Sequence, residues 1–305
     1  MPPHRRRSDR RFYRRSAVQE EINDLIRGMS GGFLFGIPLI YTMEVWWIGS
    51  SVNPAIMLIT IAVTLVVVFA LNLTEGFRKS RGSTFRQAID DTVDAIAIGM
   101  LSATLMLVLL REVTWDTQLR ETLGKIIFEG VPFALGVALS SQFLRPSAQR
   151  TAVDDDDSQN PSQALQRFFP ENNLNETLAD IGAALVGSLI VAFSIAPTEE
   201  VPKLVGAVHG PWLVGMVLVS VVISYMIVFQ ANFAGQNERQ MQSGLFQSPL
   251  SETIVAYLVS LGTAALMLLF FQTISWHTPW DVAFRHVLIL GLPASIGGAA
   301  GRLAL

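Results

Sequence analysis

Long apolar runs separated by short polar segments are the dominant pattern along this chain. Eight runs of roughly 18–22 residues carry few or no charged side chains. Because about 20 apolar residues in a helix cross the ~30 Å hydrocarbon core of a bilayer, each run predicts a transmembrane helix. The predicted spans are approximately 29–49, 53–73, 93–110, 122–143, 178–197, 211–233, 252–272 and 283–303.

The composition supports the same fold class. Half of the 305 residues (50%) are hydrophobic, only 15% are charged, and the mean hydropathy is +0.42. A typical soluble domain has about 25% charged residues. The sequence therefore predicts an all-α membrane protein with eight transmembrane helices. The absence of cysteine excludes disulfides and thiolate metal sites, and the four scattered histidines form no metal motif, so no metal and no cofactor is predicted.

The positions of Lys and Arg predict an orientation. If the chain crosses the membrane eight times, seventeen of its 22 Lys and Arg residues fall on the same side as the N-terminus. Cytoplasmic segments of membrane proteins carry such an excess of positive charge. We therefore expect a multi-pass protein of the inner (plasma) membrane, with both termini in the cytoplasm.

A polar segment divides the chain into two halves. The segment 144–177 contains the run DDDD at 154–157 and is too acidic and polar to form a packed core, so it predicts a flexible cytoplasmic linker. The predicted organisation is a basic N-terminal arm (1–28), a first four-span unit (29–143), this linker, and a second four-span unit (178–305).

The two units share a sequence pattern. Residues 85–141 align with 246–302 without gaps at a constant offset of 161, and thirteen of 57 positions are identical, among them a tryptophan, a proline and two glycines. Because four is an even number of spans, both units enter the membrane from the same side. The pattern predicts two parallel four-helix repeats related by an axis along the membrane normal.

Prolines and small residues inside the spans predict kinks and close helix packing. A proline removes one backbone hydrogen bond, and the carbonyl thus freed must be satisfied by protein or by water. Glycine lets helix backbones approach closely in lipid. The predicted kink and packing positions are Pro38, Gly130, Pro132, Gly136, Gly291, Pro293 and Gly297.

Two acidic residues lie at membrane depth, where an ionisable group is a functional candidate. On straight helices Glu44 would lie about 8 Å, and Glu129 about 11 Å, below the outer ends of their spans. Both could face one outward-opening cavity and bind or relay a small cation. Two alternatives stay open. Lys125, four residues before Glu129, could pair with it, and Glu44, followed by two tryptophans, could reach the headgroup level.

A second group of acids lies on the cytoplasmic side. Asp94, in the third span, and Glu75, after the second, could form an inner mouth for the same cation. The alternative is structural, because acidic residues in the first turn of a helix complement the positive end of the helix dipole.

No motif for catalysis is present. The chain has no HExxH, no GxSxG elbow between a strand and a helix, and no GxxxxGK[ST], so no enzymatic activity is predicted. The arginine-rich start, MPPHRRRSDRRFYRR, is expected to bind anionic lipid of the bilayer surface; no nucleic-acid binding is expected. The sequence is compatible with a homo-oligomer.

Three segments carry a resemblance to a known family. GIPLIYTMEVWW, NLTEGFR at 72–78 and FEGVPFALG resemble a family of uncharacterised bacterial integral membrane proteins, over most of the chain from about residue 20. The resemblance implies several membrane spans and no particular activity. The residues themselves favour a transporter or channel for a small cation, with proton coupling included. The alternative is a non-transporting scaffold or sensor that acts through its basic arm and acidic linker.

Overall fold

The computed structural model describes residues 6–75, 85–140, 173–230 and 249–304, and these residues are predominantly helical, as predicted. The helices, in chain order, are α1 (Arg6–Ile40), α2 (Met43–Ser51), α3 (Pro54–Glu75), α4 (Phe85–Leu109), α5 (Leu119–Leu139), α6 (Asn173–Ile195), α7 (Glu200–Ala207), α8 (Pro211–Tyr225), α9 (Pro249–Phe270) and α10 (Trp280–Ala304). A π-helical turn, Met226–Gln230, continues α8.

Six of these helices (α3, α4, α5, α8 with its π-helical turn, α9 and α10) are long and apolar enough to cross a membrane. The remaining helices form two bent pairs, α1 with α2 and α6 with α7, and each pair turns by 89°. By length and composition, the described part of the chain therefore has six candidate membrane spans, or up to eight if each bent pair counts as one span.

The predicted continuous helix over 29–49 is wrong, because α1 ends at Ile40 and the chain turns before α2. The turn follows Pro38, which lies in the last turn of α1. Thr42 is extended (φ −108°, ψ 108°), and its hydroxyl donates a hydrogen bond of 2.6 Å to the carbonyl of Leu39. The same carbonyl also accepts a hydrogen bond of 3.0 Å from the Thr42 N–H, so Thr42 satisfies a carbonyl of the last helical turn although the helix does not continue.

Two predicted boundaries also shift. Helix α1 starts at Arg6, so the basic arm and the first span share one helix, although the side chains of 6–20 lie outside the described residues. Helix α6 starts at Asn173, inside the predicted linker, and the rest of that linker, including 154–157, also lies outside the described residues.

All six tryptophans belong to segments at one end of the helix bundle, which we call the tryptophan end. They are Trp46 and Trp47 on α2, Trp115 between α4 and α5, Trp212 at the start of α8, and Trp276 and Trp280 before and at the start of α10. Trp47, Trp115, Trp276 and Trp280 are each at least 80% exposed. Tryptophan favours the membrane–water interface, so the tryptophan end marks one edge of the bilayer.

Two helix pairs are held together by contact between backbones. Helix α1 meets α5 at Gly31 and Gly136, and α6 meets α10 at Gly187 and Gly297. A Cβ atom on any of these four glycines would collide with the backbone of the facing helix. Glycine is needed at these positions because no side chain fits between the helices.

The carbonyl that Pro293 leaves without a helical partner is satisfied from the other half of the chain. Pro293 lies inside α10 and has no N–H, so the carbonyl of Ile289, four residues earlier, lacks its usual donor. The hydroxyl of Tyr41, which is 2% exposed, donates a hydrogen bond of 2.7 Å to this oxygen. The turn between α1 and α2 places Tyr41 there, so this hydrogen bond ties the two halves together inside the bundle.

The turns after α4 and after α9, which lie 161 residues apart, share their local geometry. Arg111, after α4, and Gln272, after α9, are the non-glycine residues with positive φ in the described ranges, at 61° and 57°. A few residues later, Thr117 Oγ1 accepts a hydrogen bond of 3.0 Å from the Thr114 N–H. At the corresponding positions the Ser275 N–H donates to Thr278 Oγ1 at 2.9 Å. The two turns are therefore built alike.

We predict that Gly187→Ala destabilises the fold, because its Cβ has no room against the backbone of Gly297 and Gly301. Overpacking of this kind costs about 1–3 kcal/mol. Gly182→Ala on the same helix is the control, because its Cβ would meet nothing within 4 Å. Thermal unfolding in detergent should show a lower Tm for Gly187→Ala alone; equal Tm values for the two variants would contradict the close contact.

We also predict that Tyr41→Phe destabilises the protein by about 1–3 kcal/mol, because it leaves the buried carbonyl of Ile289 without a donor. Pro293→Ala restores a backbone N–H to that carbonyl. In a double-mutant cycle of thermal unfolding, Tyr41→Phe should therefore cost less in the Pro293→Ala background. An equal cost in both backgrounds would mean that the hydroxyl does not substitute for the missing N–H.

Candidate functional site

The acidic side chain of Glu129 is completely enclosed in the bundle. Glu129 lies on α5, has 0% exposure, and neither carboxyl oxygen has a hydrogen-bond partner. No ion pair to it is formed within the described residues. A buried charge is normally paired, and a lone one is strongly unfavourable in an apolar medium. This is the most unusual electrostatic feature of the described structure.

The surroundings of Glu129 supply no other ionisable group at the same depth. Helix α5 packs against α1, α2, α3 and α4. The segments 28–40 of α1, 54–73 of α3 and 95–109 of α4 contain no Asp, Glu, Lys, Arg or His. Beside Glu129, the Gly130 backbone leaves room for the side chain of Met100. The carboxyl group thus lies among helix segments that carry no ionisable Asp, Glu, Lys, Arg or His side chain.

Lys125 does not pair with Glu129, so that alternative is wrong. Lys125 Nζ lies 2.8 Å from Glu121 Oε1 and 3.3 Å from Glu112 Oε2. The order Glu121–Lys125 at i, i+4 is the more favourable one on a helix, whereas Lys125–Glu129 is the reverse. Side chains also lean towards the helix N-terminus, which directs Lys125 away from Glu129. The sequence contained this signal in the spacing of Glu121 and Lys125.

The turn after α4 brings Glu112 to Lys125. Arg111 has a left-handed conformation with φ 61°, its N–H donates to the Val108 carbonyl at 3.1 Å, and the N–H of Glu112 donates to Leu107 at 2.9 Å. This pair of bonds is a Schellman motif, which ends the helix and reverses the chain. The carbonyl of Glu112 consequently accepts a hydrogen bond of 2.9 Å from Lys125 Nζ.

Glu112, Glu121 and Lys125 form a charged cluster between Glu129 and the tryptophan end. Their side chains are 21%, 35% and 9% exposed, respectively. Exposure therefore falls from the surface acids through Lys125 to the fully buried Glu129.

Another polar group near this level lacks a partner. The Ser102 hydroxyl on α4 is 1% exposed, and its oxygen has no hydrogen-bond partner. Ser102 lies one helical turn after Gly99, which packs directly against Ala134 of α5. The α4–α5 contact therefore contains both an unpartnered hydroxyl and an unpartnered carboxyl group.

The other sequence-predicted site residues lie apart from Glu129. Glu44 is exposed, in the first turn of α2 beyond the bend, so its predicted depth inside a straight span is wrong. Asp94 is half-buried near the start of α4. Glu75 is the last residue of α3, and its side chain lies outside the described residues. The structure does not bring Glu44 and Asp94 to the buried carboxyl group.

A second charged cluster, not foreseen from the sequence, lies at the end of the bundle opposite the tryptophans. Arg302 is 1% exposed near the end of α10. Its guanidinium contacts the carboxylate of Glu252, lies 3.8 Å from Asp180, and lies 5.5 Å from the ring centre of Phe229 in the π-helical turn. On α1, Arg27 (3% exposed) pairs with Asp24 at 2.5 Å. The sequence signal for the Arg302 cluster was an arginine directly after the uncharged run 287–301 of the last helix.

No group of three or more His, Cys, Asp or Glu residues that could hold a metal ion occurs among the residues the structure describes. The apolar helices, the glycine-mediated packing and the band of exposed tryptophans define a multi-span helical integral membrane protein. The family model "Putative integral membrane protein (DUF2391)" matches residues 24–305, and the chain belongs to this family. Comparisons with curated proteins and with solved structures find no match.

We predict that Arg302→Met destabilises the protein by about 3–5 kcal/mol, because it leaves the carboxylates of Glu252 and Asp180 without their buried counter-charge. Arg285→Met is the control on the same helix, because Arg285 is 34% exposed and its pair with Asp281 spans 3.9 Å. The control should change the free energy of unfolding by less than about 1 kcal/mol. Denaturant unfolding in detergent measures both variants; similar losses would contradict a special role for Arg302.

Proposed function

We propose that this protein is a transporter or channel for a small cation and that Glu129 is its intramembrane binding group. The observation that carries the proposal is the fully buried carboxyl group of Glu129, whose oxygens have no protein partner. A polar or ionisable group at membrane depth is costly and typically marks an ion or proton pathway. A cation that visits the site would supply the missing counter-charge.

Packing alone does not explain the acid. At the offset of 161, the position of Glu129 corresponds to Leu290, which is also 0% exposed. A leucine therefore fills the corresponding place in the second half without difficulty. Burying a carboxylate instead costs several kcal/mol, of the order estimated for a single buried ion. A function at Glu129 would account for this cost.

We further propose that the two halves are parallel repeats in the inner membrane, with both termini in the cytoplasm. The 89° bends in both halves and the like-built turns after α4 and α9 support a repeat. The excess of Lys and Arg on the side of the N-terminus supports the orientation. The tryptophan end then faces outwards.

In this arrangement an ion reaches Glu129 from the tryptophan end, past the cluster of Glu112, Glu121 and Lys125. That cluster has two acids and one base, so its net charge of about −1 attracts cations. Asp94 and Glu75 would serve the inner mouth, and Glu44 would lie outside the path at the outer surface. The arginine-rich arm would bind anionic lipid. We propose neither an enzymatic activity nor nucleic-acid binding.

Purified protein in liposomes tests the proposal. Fluxes of Na⁺, K⁺, Ca²⁺ and H⁺ should be measured separately with dyes inside the vesicles. We expect at least one cation to cross faster than in empty liposomes, and Glu129→Gln to reduce that flux at least tenfold, because the amide cannot exchange charge with a cation.

Asp281→Asn is the control, because it removes a carboxylate whose side chain is 68% exposed at the same end of the bundle. This variant should keep the wild-type flux. No flux of any of the four cations would overturn the proposed function, and an unchanged flux in Glu129→Gln would remove Glu129 from it.

A further inference from the structure

We propose that the cation bound by Glu129 is a proton and that Glu112 is the residue through which protons enter from the tryptophan end. The proposal rests on the proposed function and names the ion. It follows from the small number of possible ligands around Glu129. It also follows from the charged cluster of Glu112, Glu121 and Lys125, whose side chains become less exposed towards Glu129.

A metal ion would find too few ligands at Glu129. Ca²⁺ takes six to eight oxygen ligands, and Mg²⁺ requires nearly octahedral coordination. The helices that pack around Glu129 offer its carboxyl group, the unpartnered hydroxyl of Ser102 and the Phe128 carbonyl, which Pro132 leaves without a helical donor. These are fewer than the six oxygen ligands that such an ion takes. No cluster of metal-binding side chains is present in the described ranges. A proton needs a single carboxylate oxygen.

Protonation also resolves the electrostatic problem of the enclosed state. A neutral carboxyl group is far cheaper to bury than a carboxylate in an apolar environment. The structure with Glu129 enclosed would then be the proton-loaded form. Release of the proton would leave a charge that favours hydration or a rearrangement of the bundle.

The titratable groups on the surrounding elements limit the route of the proton. On α5 itself these are Arg120, which donates to the carbonyls of Ser51 and Val52, and Glu121 and Lys125, which pair with each other. Glu112, in the turn after α4, contacts Lys125, which lies one helical turn from Glu129. Helix α2 contributes the exposed Glu44. In the turn after α1, Tyr41 donates its hydroxyl to Ile289.

The remaining charged groups of these helices lie towards their opposite ends. Among the side chains that the structure describes, they are Glu21, Asp24 and Arg27 on α1 and Arg86, Asp90, Asp91 and Asp94 on α4; Glu75 is the last residue of α3. Both Glu112 and Glu121 contact Lys125 at the tryptophan end, and Glu112 is the less exposed of the two (21% against 35%), so we assign the entry of protons to Glu112.

The transfer is a simple exchange of one proton. Glu112, which is 21% exposed, takes a proton from water at the surface. Its O–H bond then breaks as an O–H bond forms on the carboxylate of Glu129, directly or through one water, and Glu112 returns to the carboxylate form. No metal ion needs to pass the ammonium group of Lys125, which would repel it at close range.

Infrared difference spectroscopy of the full-length protein in lipid vesicles tests the assignment. We expect a carbonyl-stretch band of a protonated carboxylic acid that appears and disappears with bulk pH and shifts in D₂O. Glu129→Gln should lose this band, and Asp281→Asn should keep it. Glu112→Gln should keep the band but slow its appearance after a pH jump at least tenfold.

The outcomes separate this inference from the proposed function. A Glu129-dependent flux of Na⁺, K⁺ or Ca²⁺ without H⁺ flux, or a band that Na⁺ or Ca²⁺ abolishes at constant pH, would overturn the proton assignment and leave a cation transporter. If the band is present but no ion crosses the membrane, the proton site stands and the transport proposal is overturned. If the Glu129→Gln variant keeps the band, the proton site is overturned. If the band of the Glu112→Gln variant appears at the wild-type rate after the pH jump, the entry route is overturned.

Discussion

Direct contact between helix backbones at glycine is the constraint on which the rest of this structure depends. In lipid, hydrophobic burial hardly drives one helix against another, so close van der Waals packing between small residues must do so. Gly31 against Gly136 and Gly187 against Gly297 supply this contact in the two halves. Next to the first pair, the rings of Phe33 and Phe133 meet edge to face at 6.1 Å. This tight layer belongs to the same α1–α5 contact that helps to enclose Glu129.

A second constraint is that backbone polar groups in a membrane need partners inside the protein. Pro293 on α10 has no N–H to donate to the Ile289 carbonyl, and the Tyr41 hydroxyl donates a hydrogen bond to that carbonyl instead. The bend that ends α1 is what allows Tyr41 to point into the bundle. The break in the first apolar run therefore has a structural use: it supplies the donor that a helix from the other half requires.

Inside the described part of the bundle the strongly buried cations have acidic partners, whereas the buried acid Glu129 has no cationic partner. Each strongly buried cation of the described structure, Arg27, Lys125 and Arg302, contacts at least one acid. Glu129 has no such partner, although Lys125 is only one helical turn away. Because Glu129 lies at membrane depth and Leu290 occupies the corresponding position in the other half, the functional proposals concentrate on this one carboxyl group.

The sequence by itself determined the fold class, the approximate positions of the apolar helices and Glu129 as a candidate, because apolar length and a lone acid in an apolar run are local properties. The α1–α2 bend was missed because hydropathy does not distinguish a straight span from a bent one. Only the tertiary structure decided that Lys125 turns to Glu112 and Glu121, that Tyr41 serves Ile289 and that Arg302 joins Glu252 and Asp180. The Tyr41 and Arg302 contacts join residues far apart in the chain, and Glu112 reaches Lys125 only through the turn after α4. The choice of partner depends on which helices pack together, which no local pattern specifies.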